Sequence, residues 1–400
     1  MKERANRLSG GSAERQHGSA AVAASDESRS QLRIGVVGIY PRSIHLLTYV
    51  RYLVERGHDV TVITNAETVD AAVRVVNFGR HTRLIRFVPS VFRVALRAWR
   101  VRRALVRGRF DVVNIQQMTP DGVYGAVLSP SPVVPTFWGS DILRLEIRPW
   151  FVRRLMPRAI RRAAAVHATC REIASIVIEM GAQPEKVETF NYGVDLGLFT
   201  TVGPEQREAH RVISTRGLRP FYRIADIVAA FPTVVDRYPD ARLVLVGDGQ
   251  PGDKENLEAA AAEAGIPDHV EFTGRLEFEG VASELRRASV WVSIPPTDSF
   301  ALSLQEAMAC GTLPVVADIP AMREGLDETR GILLPVVNAE AVGGAMIEGI
   351  ERAALGEHLV PNRRFVEEHG DRRVNLARYE SLLARVASRS SSARGRGRAV

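Results

Sequence analysis

The sequence predicts an α/β protein in which two doubly wound domains, each built on a parallel sheet, face each other across a cleft. Short apolar runs alternate with longer amphipathic ones along most of the chain, which is typical of strands and helices in parallel sheets. The alternation stops at a polar stretch, residues 200–211, and then restarts. A chain of 400 residues is long enough for two such domains. Ligands of these folds bind at the carboxyl ends of the strands, so the cleft is the predicted site.

The first half of the chain predicts a regular series of strands and helices. A buried strand is predicted for LRIGVVGIY, followed by an amphipathic helix over Ile44–Arg56 that Gly57 ends. Further strands are predicted for HDVTVIT, FDVVNIQ and Val133–Trp138. Residues 161–168 are predicted to finish a helix and enter another strand, which is followed by a helix through Met180 that Gly181 ends. KVETFNYGVD closes this half.

The second half repeats this pattern. Strands are predicted for VISTRG, ARLVLVGDG, VEFTG, ASVWVSI and LPVVAD, with helices up to Arg237 and over Asn256–Gly265 between them. The expected organisation is a disordered N-terminal tail (1–31), a first domain (32–190), a second domain (191–375), and a helix end with a basic tail (376–400). The last part of that tail, ASRSSSARGRGRAV (387–400), is expected to be disordered.

Composition excludes several classes of protein. The chain is 46% hydrophobic and 25% charged, and no apolar run reaches the ~18–20 residues of a membrane span. Two cysteines, Cys170 and Cys310, are too few for a zinc site, and we expect a reduced, cytoplasmic protein. The three-glycine dinucleotide motif is absent after the first strand, because Gly35 and Gly38 are followed by Ile, Tyr and Pro. This argues against a nicotinamide oxidoreductase.

The segment TDSFALSLQEAMACGTLPVVADIP is the most informative part of the sequence. It predicts a helix over Phe300–Ala309, with N-cap candidates in Thr297, Asp298 and Ser299. Amides at such a helix start attract phosphate or sugar hydroxyls. If Asp298 and Glu306 were both helical, they would lie about 12 Å apart along the axis. An ordinary capped helix with a surface glutamate remains the plain alternative.

This segment resembles the donor-binding motif of retaining GT-B glycosyltransferases of the family 4 type (glycosyl transferases group 1): an acidic residue, seven others, then Glu. Further landmarks of that family follow one another in order along residues 32–385: RGHDVTVIT, FDVVNIQ, DGVYGA, TFWGSD, KVETFNYGVDLGLF, ARLVLVGDGQ and VEFTGR. The resemblance implies a GT-B fold, with two Rossmann-like domains facing across the cleft, and a glycosyltransferase.

The resemblance also implies roles for individual residues. Glu306 would bind the ribose hydroxyls of a nucleotide-sugar donor, and Asp298, where many relatives have Glu, the hydroxyls of the transferred sugar. The other implied donor contacts are Ser299, Phe300, Ala301 and Leu302 through their backbone amides, and Phe272 and Arg275 near the base. Arg216 stands where the family has the arginine of its diphosphate clamp, and it is a catalytic candidate together with Asp298 and Asp141.

The lysine of that clamp is missing. Tyr222 stands at its position, and no lysine occurs between Lys186 and Lys254. Arg219 or Arg223 is the expected substitute, since a guanidinium can hold phosphate through two hydrogen bonds. A solvated surface position is the alternative for both.

The first half supplies fewer candidates. Gly38 ends the first strand, where relatives carry a glycine-rich loop that touches the diphosphate. Trp138 replaces a histidine that contacts the donor sugar in many relatives. Asp141, in the same TFWGSD segment, could orient the acceptor, and His45 is a second acceptor-side candidate. Capping or structural roles are the alternatives for Asp141 and His45.

Two arginine-dense stretches, Arg83–Arg109 and Arg148–Ala163, carry apolar residues at helical spacing. They could contact an anionic membrane, which we retain as a hypothesis for Arg83–Arg109, although a solvated helix face is the leading interpretation. The formal net charge is +7, but no nucleic-acid reader motif accompanies it, so no nucleic-acid partner is expected.

The predicted function is transfer of a sugar, with retention, from a nucleotide-diphosphate sugar to a hydroxyl of a saccharide, a lipid-linked saccharide or a small metabolite. No metal or other cofactor is expected, because arginine and helix amides can stabilise the departing diphosphate. Two alternatives stay open at this point. They are a GT-B protein that binds a sugar nucleotide without turnover, and a GT-B sugar-nucleotide epimerase.

Overall fold

The computed structural model describes residues 31–38, 44–64, 73–77 and 90–396, without the side chains of 44–46, 90–93 and 391–396. Apart from residue 31, the predicted N-terminal tail lies outside these ranges. Within them, the prediction of two parallel α/β sheets is confirmed.

The first sheet has seven parallel strands in the order β3-β2-β1-β4-β5-β6-β7. Its strands are β1 (Arg33–Val37), β2 (Asp59–Thr64), β3 (Arg74–Asn77), β4 (Val112–Ile115), β5 (Val133–Phe137), β6 (Val166–Ala168) and β7 (Val187–Thr189). The central strands β1, β4 and β5 are almost wholly buried, because helices cover both faces of a parallel sheet. Their side chains are therefore apolar in nearly every position.

The second sheet has six parallel strands in the order β10-β9-β8-β11-β12-β13. Its strands are β8 (Glu208–Ser214), β9 (Arg242–Val246), β10 (Val270–Gly274), β11 (Ala288–Ser293), β12 (Leu313–Ala317) and β13 (Ile332–Leu334). In both sheets the strand order reverses beside the first strand, at β1/β4 and at β8/β11. Such a reversal opens a crevice at the carboxyl ends of the strands.

Helices connect the strands and cover the sheets. In the first half they are α1 (Ile44–Glu55), α2 (Ser90–Gly108), α3 (Pro120–Leu128), α4 (Trp150–Arg162) and α5 (Arg171–Glu179). In the second half they are α6 (Ile224–Ala230), α7 (Pro232–Arg237), α8 (Asp253–Glu263), α9 (Phe278–Arg287), α10 (Leu302–Cys310), α11 (Ala339–Leu355), α12 (Leu359–His369) and α13 (Arg372–Arg396). No helix in the described ranges combines the length and the apolar character that crossing a membrane requires.

Two of the edge strands, β3 and β13, are not predicted from the sequence. Each has only three or four residues, and β3 is half-exposed. An apolar run that is this short and also partly exposed carries too little periodicity to be recognised. The strands become regular only because a longer neighbour, β2 or β12, supplies their hydrogen-bond partners.

Helix α13 is the main departure from the predicted organisation. Although it follows the second sheet in the chain, its apolar side packs on the first: Leu376, Tyr379 and Leu383 share a core with Ile34 and Val36 of β1. The helix continues to residue 396, so the disorder predicted from residue 387 onward was wrong up to that point. The limits given above for the two domains, 32–190 and 191–375, stay predictions.

Candidate active site

A cavity of about 390 Å³ lies between the two sheets and takes its walls from both. The first half contributes the neutral side chains of Trp138, Thr169 and Asn191, each just beyond a strand of the first sheet. The second half contributes charged groups, among them Arg216 after β8 and Glu306 on α10. The cavity therefore lies where the parallel topology predicts a ligand site.

The start of helix α10 forms one wall of this cavity. The helix begins at Leu302, with Ala301 as N-cap and no side-chain cap. The predicted caps Thr297, Asp298 and Ser299 were therefore wrong, and the axial spacing estimated for a helical Asp298 does not apply. Residues 298–303 all line the cavity, so the uncapped first turn of α10 and its dipole adjoin the cavity.

The Asp298 carboxylate is instead committed to Arg216. The two side chains form an ion pair at 2.6 Å, and Arg216 also donates to Ser303 Oγ at 2.8 Å. Its guanidinium lies 4.4 Å from the ring centroid of Tyr222. Burial by itself lowers the pKa of Arg216, but Asp298 and Tyr222 outweigh it, and the pKa is raised. The arginine is thus a fixed cation held from three sides.

Glu306 lies on the cavity wall and is 7% exposed. It forms no hydrogen bond with any residue in the described ranges, so it is not the surface side chain of the plain alternative. Burial raises its pKa to about 7, against the opposing effect of the positive charges of Arg372 and Arg216. A buried carboxylate with unused acceptor capacity suits a ligand that brings its own donors.

The predicted substitutes for the clamp lysine do not reach the cavity. Arg219 is exposed, and Arg223 pairs with Asp226 and donates to the carbonyl of Val337. Neither arginine lines the cavity, and both stand next to the short 3₁₀ segment Pro220–Tyr222 that follows the strand. Arg275 does line the cavity, and it is the second cation found there.

Phe272, predicted near the base, does not line the cavity either. Its ring packs at the edge of the second core, with the ammonium of Lys254 5.5 Å from the ring centroid. In a strand, neighbouring side chains point to opposite faces and only the end of the strand reaches the cleft. Arg275 follows the last residue of β10, which is why it lines the cavity while Phe272 does not.

Of the two candidates in the TFWGSD segment, Trp138 lies on the cavity wall and Asp141 does not. Trp138 lines the cavity, and its indole N–H donates to Gln116 Oε1 at 3.3 Å. Asp141 is fully buried outside the cavity and accepts hydrogen bonds from the amides of Met118, Trp138 and Gly139. Burial raises its pKa. Asp141 thus shapes the loop that carries Trp138, which corrects its placement among the catalytic candidates.

Gly38 and His45 are not brought to the cavity by the described residues. Gly38 directly follows β1, where its amide donates to the carbonyl of Ile63 at 3.2 Å, and it does not line the cavity. His45 lies in the first turn of α1, and its side chain is outside the described residues, as is the loop before it.

Sequence reasoning missed Asn191, Thr169 and Arg372. Asn191 and Gly193 form a tight turn, in which the Asn191 side chain accepts from the Gly193 amide at 2.8 Å. Gly193 has φ +74°, and a Cβ there would lie 2.3 Å from the carbonyl oxygen of Gly370. The NYG segment was therefore a turn signal within the predicted strand. Nothing in the sequence places Arg372 near Glu306, since they are 66 residues apart.

The two halves also touch beside the cavity. Glu324 of the second half accepts hydrogen bonds from the amides of Arg171 and Glu172, at 2.6 and 3.1 Å, and so caps α5 of the first half. The guanidinium of Arg144 lies 4.6 Å from the ring centroid of Phe221. These contacts hold the two sides of the cavity together.

Two parallel α/β halves that share a cavity at the carboxyl ends of their strands, with charged groups on one wall, define an enzyme of the GT-B class. The family model "Glycosyl transferases group 1" matches residues 203–364, and "Glycosyltransferase Family 4" matches residues 43–198. The chain belongs to this glycosyltransferase family and is a transferase that acts in sugar transfer.

Two curated relatives illustrate the similarity. The phosphatidyl-myo-inositol mannosyltransferase of Mycobacterium tuberculosis is 28% identical over 363 residues, which cover 84% of this chain and 90% of that protein. The D-inositol 3-phosphate glycosyltransferase of Xylanimonas cellulosilytica is 31% identical over 211 residues, 48% of this chain and 50% of that protein.

Solved structures support the fold. Anabaena HepE, crystallised with UDP and glucose, superposes with a TM-score of 0.72 at 17% identity, covering 88% of this chain and 100% of that one. The sucrose-phosphate synthase of Thermosynechococcus elongatus gives a TM-score of 0.73 at 16% identity, covering 89% and 99%.

Proposed function

We propose that this protein transfers a sugar from a nucleotide-diphosphate sugar to an acceptor hydroxyl and retains the configuration at the anomeric carbon. The observation that carries the proposal is the grouping of Arg216, Asp298, the uncapped start of α10 and Glu306 on one wall of the cavity. This wall offers a cation and amides for a diphosphate and carboxylates for hydroxyl groups.

In the proposed complex, Glu306 accepts hydrogen bonds from the ribose hydroxyls and Asp298 from the transferred sugar. The acceptor oxygen forms a bond to the anomeric carbon as the bond to the diphosphate oxygen breaks, and the acceptor proton passes to the diphosphate. Negative charge grows on the diphosphate during this step. Arg216, Arg275 and the α10 amides stabilise that charge because they are already oriented in a buried site.

The reaction is proposed to need no metal ion. A divalent cation usually neutralises a departing diphosphate, and here the guanidinium groups and helix dipole take that role. Turnover that is unchanged after treatment with EDTA is the expected result. Turnover that EDTA abolishes and Mg²⁺ or Mn²⁺ restores would contradict it.

The acceptor is proposed to be a polyol or saccharide, with a phosphate-bearing inositol as the first compound to test. The two curated relatives are named for an inositol lipid and an inositol phosphate. The first-half wall, with Trp138, Thr169 and Asn191, is neutral. An apolar ring beside hydroxyl and amide groups suits a sugar-like ring.

We further propose a cytoplasmic protein that contacts anionic membranes peripherally through Arg83–Arg109. Helix α2 covers most of this stretch, and Trp99 on it is 52% exposed. Exposed tryptophan beside arginine is typical of interfacial helices. Sedimentation with vesicles that contain an anionic lipid tests this, and no binding at low salt would end the hypothesis.

The deciding experiment is a thermal-shift panel with UDP, GDP, ADP and TDP, using Glu306→Ala as the variant. A nucleotide at 100 times its dissociation constant adds about 2.7 kcal/mol to stability. One nucleotide should shift the wild type and not the variant, and this would identify the donor class. If none shifts the wild type, the donor site is wrong.

The same nucleotide's sugar donors then test the reaction. Release of nucleotide that depends on an acceptor, with a product of unchanged anomeric configuration by NMR, supports retaining transfer. A changed sugar without any acceptor indicates an epimerase. Binding without release to any acceptor or to water indicates a protein that has lost turnover.

A further inference from the structure

A second cavity, of about 560 Å³, lies at the outer edge of the first sheet. Its walls are β2, the edge strand β3 and one face of α2, and it shares no lining residue with the cavity between the two sheets. Strands β1 and β4 separate β2 from β5, beyond which Trp138 lies. The two cavities are therefore separate sites.

Arginine dominates this second cavity. Arg74 of β3 and Arg100, Arg103 and Arg107 of α2 line it, and among the described lining residues Asp59 is the one acidic side chain. Arg74, Arg103 and Arg107 form no ion pair or hydrogen bond with any residue in the described ranges. These three guanidinium groups are thus not neutralised by the part of the protein that the structure describes.

Two neighbouring arginines on α2, Arg103 and Arg107, repel each other in the absence of an anion. Arg107 is four residues beyond Arg103, so both side chains project from one face of the helix. Like charges at this spacing repel each other and destabilise the helix. An anion in the cavity would remove this repulsion, because each guanidinium could then donate to it.

The remaining lining residues indicate which groups besides an anion a ligand of this cavity would carry. The guanidinium of Arg103 lies 5.1 Å from the ring centroid of Trp99, so the stack limits its motion and leaves its edge N–H groups available. Trp99, Val76 and Ala104 supply apolar surface, and Thr61 and Asn77 supply polar groups. The volume exceeds that of an inorganic phosphate and is in the range of small-molecule sites.

We propose that this cavity between α2 and β3 binds a phosphorylated organic ligand, with the phosphate on Arg74, Arg103 and Arg107 and the organic part against Trp99. A guanidinium fork fits phosphate oxygens with two parallel hydrogen bonds. A soluble phosphate compound and a phospholipid headgroup share this chemistry, and the experiment separates them.

The test uses the full chain and two probes: inorganic pyrophosphate in calorimetric titration, and phosphatidylcholine vesicles with and without phosphatidylglycerol in co-sedimentation. The variant is Arg103→Gln with Arg107→Gln. The matched control is Arg153→Gln with Arg154→Gln, which removes the same charge from exposed positions on α4. A third variant, Arg216→Gln, removes the cation of the other cavity.

At least one probe is expected to bind in this cavity, with an affinity about tenfold or more lower in the Arg103/Arg107 variant and unchanged in the control. Pyrophosphate should also bind at the proposed donor site, so Arg216→Gln is expected to remove that second binding event and to leave the first. Binding of pyrophosphate in this cavity then identifies a soluble ligand, and binding of phosphatidylglycerol vesicles alone identifies a headgroup.

The proposal is overturned if neither probe binds, if the control loses as much affinity, or if Arg216→Gln abolishes all binding of pyrophosphate. Pyrophosphate binding that is lost in the Arg103/Arg107 variant alone supports this cavity whatever the outcome at the donor site, whereas the vesicle measurement also bears on the membrane contact proposed for Arg83–Arg109.

Discussion

The two walls of the central cavity differ in charge and in how they are built. The wall from the second half holds Arg216, Arg275, Asp298 and Glu306, whereas the wall from the first half is neutral. The charged wall is therefore the one that, in the proposed reaction, faces the departing diphosphate, on which negative charge develops. The neutral wall would face the acceptor, which reacts through a neutral hydroxyl group. A buried charge is costly unless it is paired or used, which explains its restriction to one wall.

The two walls also differ in their internal bonding. Arg216 is held by Asp298 and Ser303 within the second half. Trp138 is held by Gln116, which also donates to Tyr192, so the neutral wall rests on a network of uncharged groups. Substitutions in one wall should accordingly affect one substrate and not the other. Three variants test this, and a fourth tests the contact between the two halves.

The largest effect is expected for Arg216→Gln. It removes the paired cation beside the α10 amides and leaves Asp298 without its partner. We expect kcat to fall about 10²–10³-fold, as for the loss of an oriented charge-stabilising group, together with loss of nucleotide-induced thermal stabilisation. Arg219→Gln is the matched control, since that arginine is exposed and outside the cavity. Equal losses in both variants would contradict the assignment.

Glu306→Gln should change the pH dependence of nucleotide binding. The pKa of Glu306 is about 7, so in the wild type the ionised carboxylate that accepts ribose hydroxyls is lost as pH falls from 8 to 6. Affinity should fall about tenfold or more over that range in the wild type, and the variant should be uniformly weak. A variant with the wild-type pH profile would show that another group titrates.

The same variant should stabilise the unliganded protein at pH 8. A pKa that is raised in the folded state means that the folded protein holds this proton more tightly than the unfolded chain. Protonation of Glu306 therefore favours folding at low pH, and this contribution to stability is lost as the pH rises through about 7. Above that pH, Glu306→Gln should raise the free energy of unfolding by on the order of 1–3 kcal/mol. Thermal unfolding at pH 5 and pH 8 checks this, and a gain of equal size at both would refute it.

Trp138→Phe tests the neutral wall. It removes the indole N–H that bonds Gln116 and part of the ring surface, at a cost of about 1 kcal/mol. We expect a roughly threefold to tenfold loss in kcat/KM for the acceptor with unchanged nucleotide affinity. Steady-state kinetics with each substrate varied separately will show it, and a loss of donor affinity instead would place Trp138 on the donor side.

The smallest effect is expected for Glu324→Gln, which acts where the two halves meet. The variant keeps an acceptor for the amides of α5 but removes the negative charge at that helix start, worth about 0.3–1 kcal/mol. The thermal midpoint should fall slightly and less at high salt. Glu328→Gln, at an exposed position, serves as the control, and equal shifts in both would exclude a specific cap.

The sequence by itself determined the class of fold and one wall of the cavity. Buried parallel strands need continuous apolar runs, and these runs are readable one element at a time. The fully buried strands were therefore found, including the short strands β4 and β6, whereas the partly exposed edge strands β3 and β13 were not. Asp298, Glu306 and Arg216 were predicted from the resemblance to the family, because they stand at its motif positions: the first two share a single segment, and Arg216 ends a predicted strand.

Only the tertiary structure decided the rest. The pairing of Asp298 with Arg216, the exposure of Arg219 and the burial of Asp141 depend on how elements pack, and this leaves no local pattern. The nearness of Arg372 to Glu306 and the packing of α13 on the first sheet join residues far apart in the chain. The hydrophobic effect is non-directional. The apolar face of a helix such as α13 therefore indicates that the face is buried, but it does not indicate which sheet it packs against.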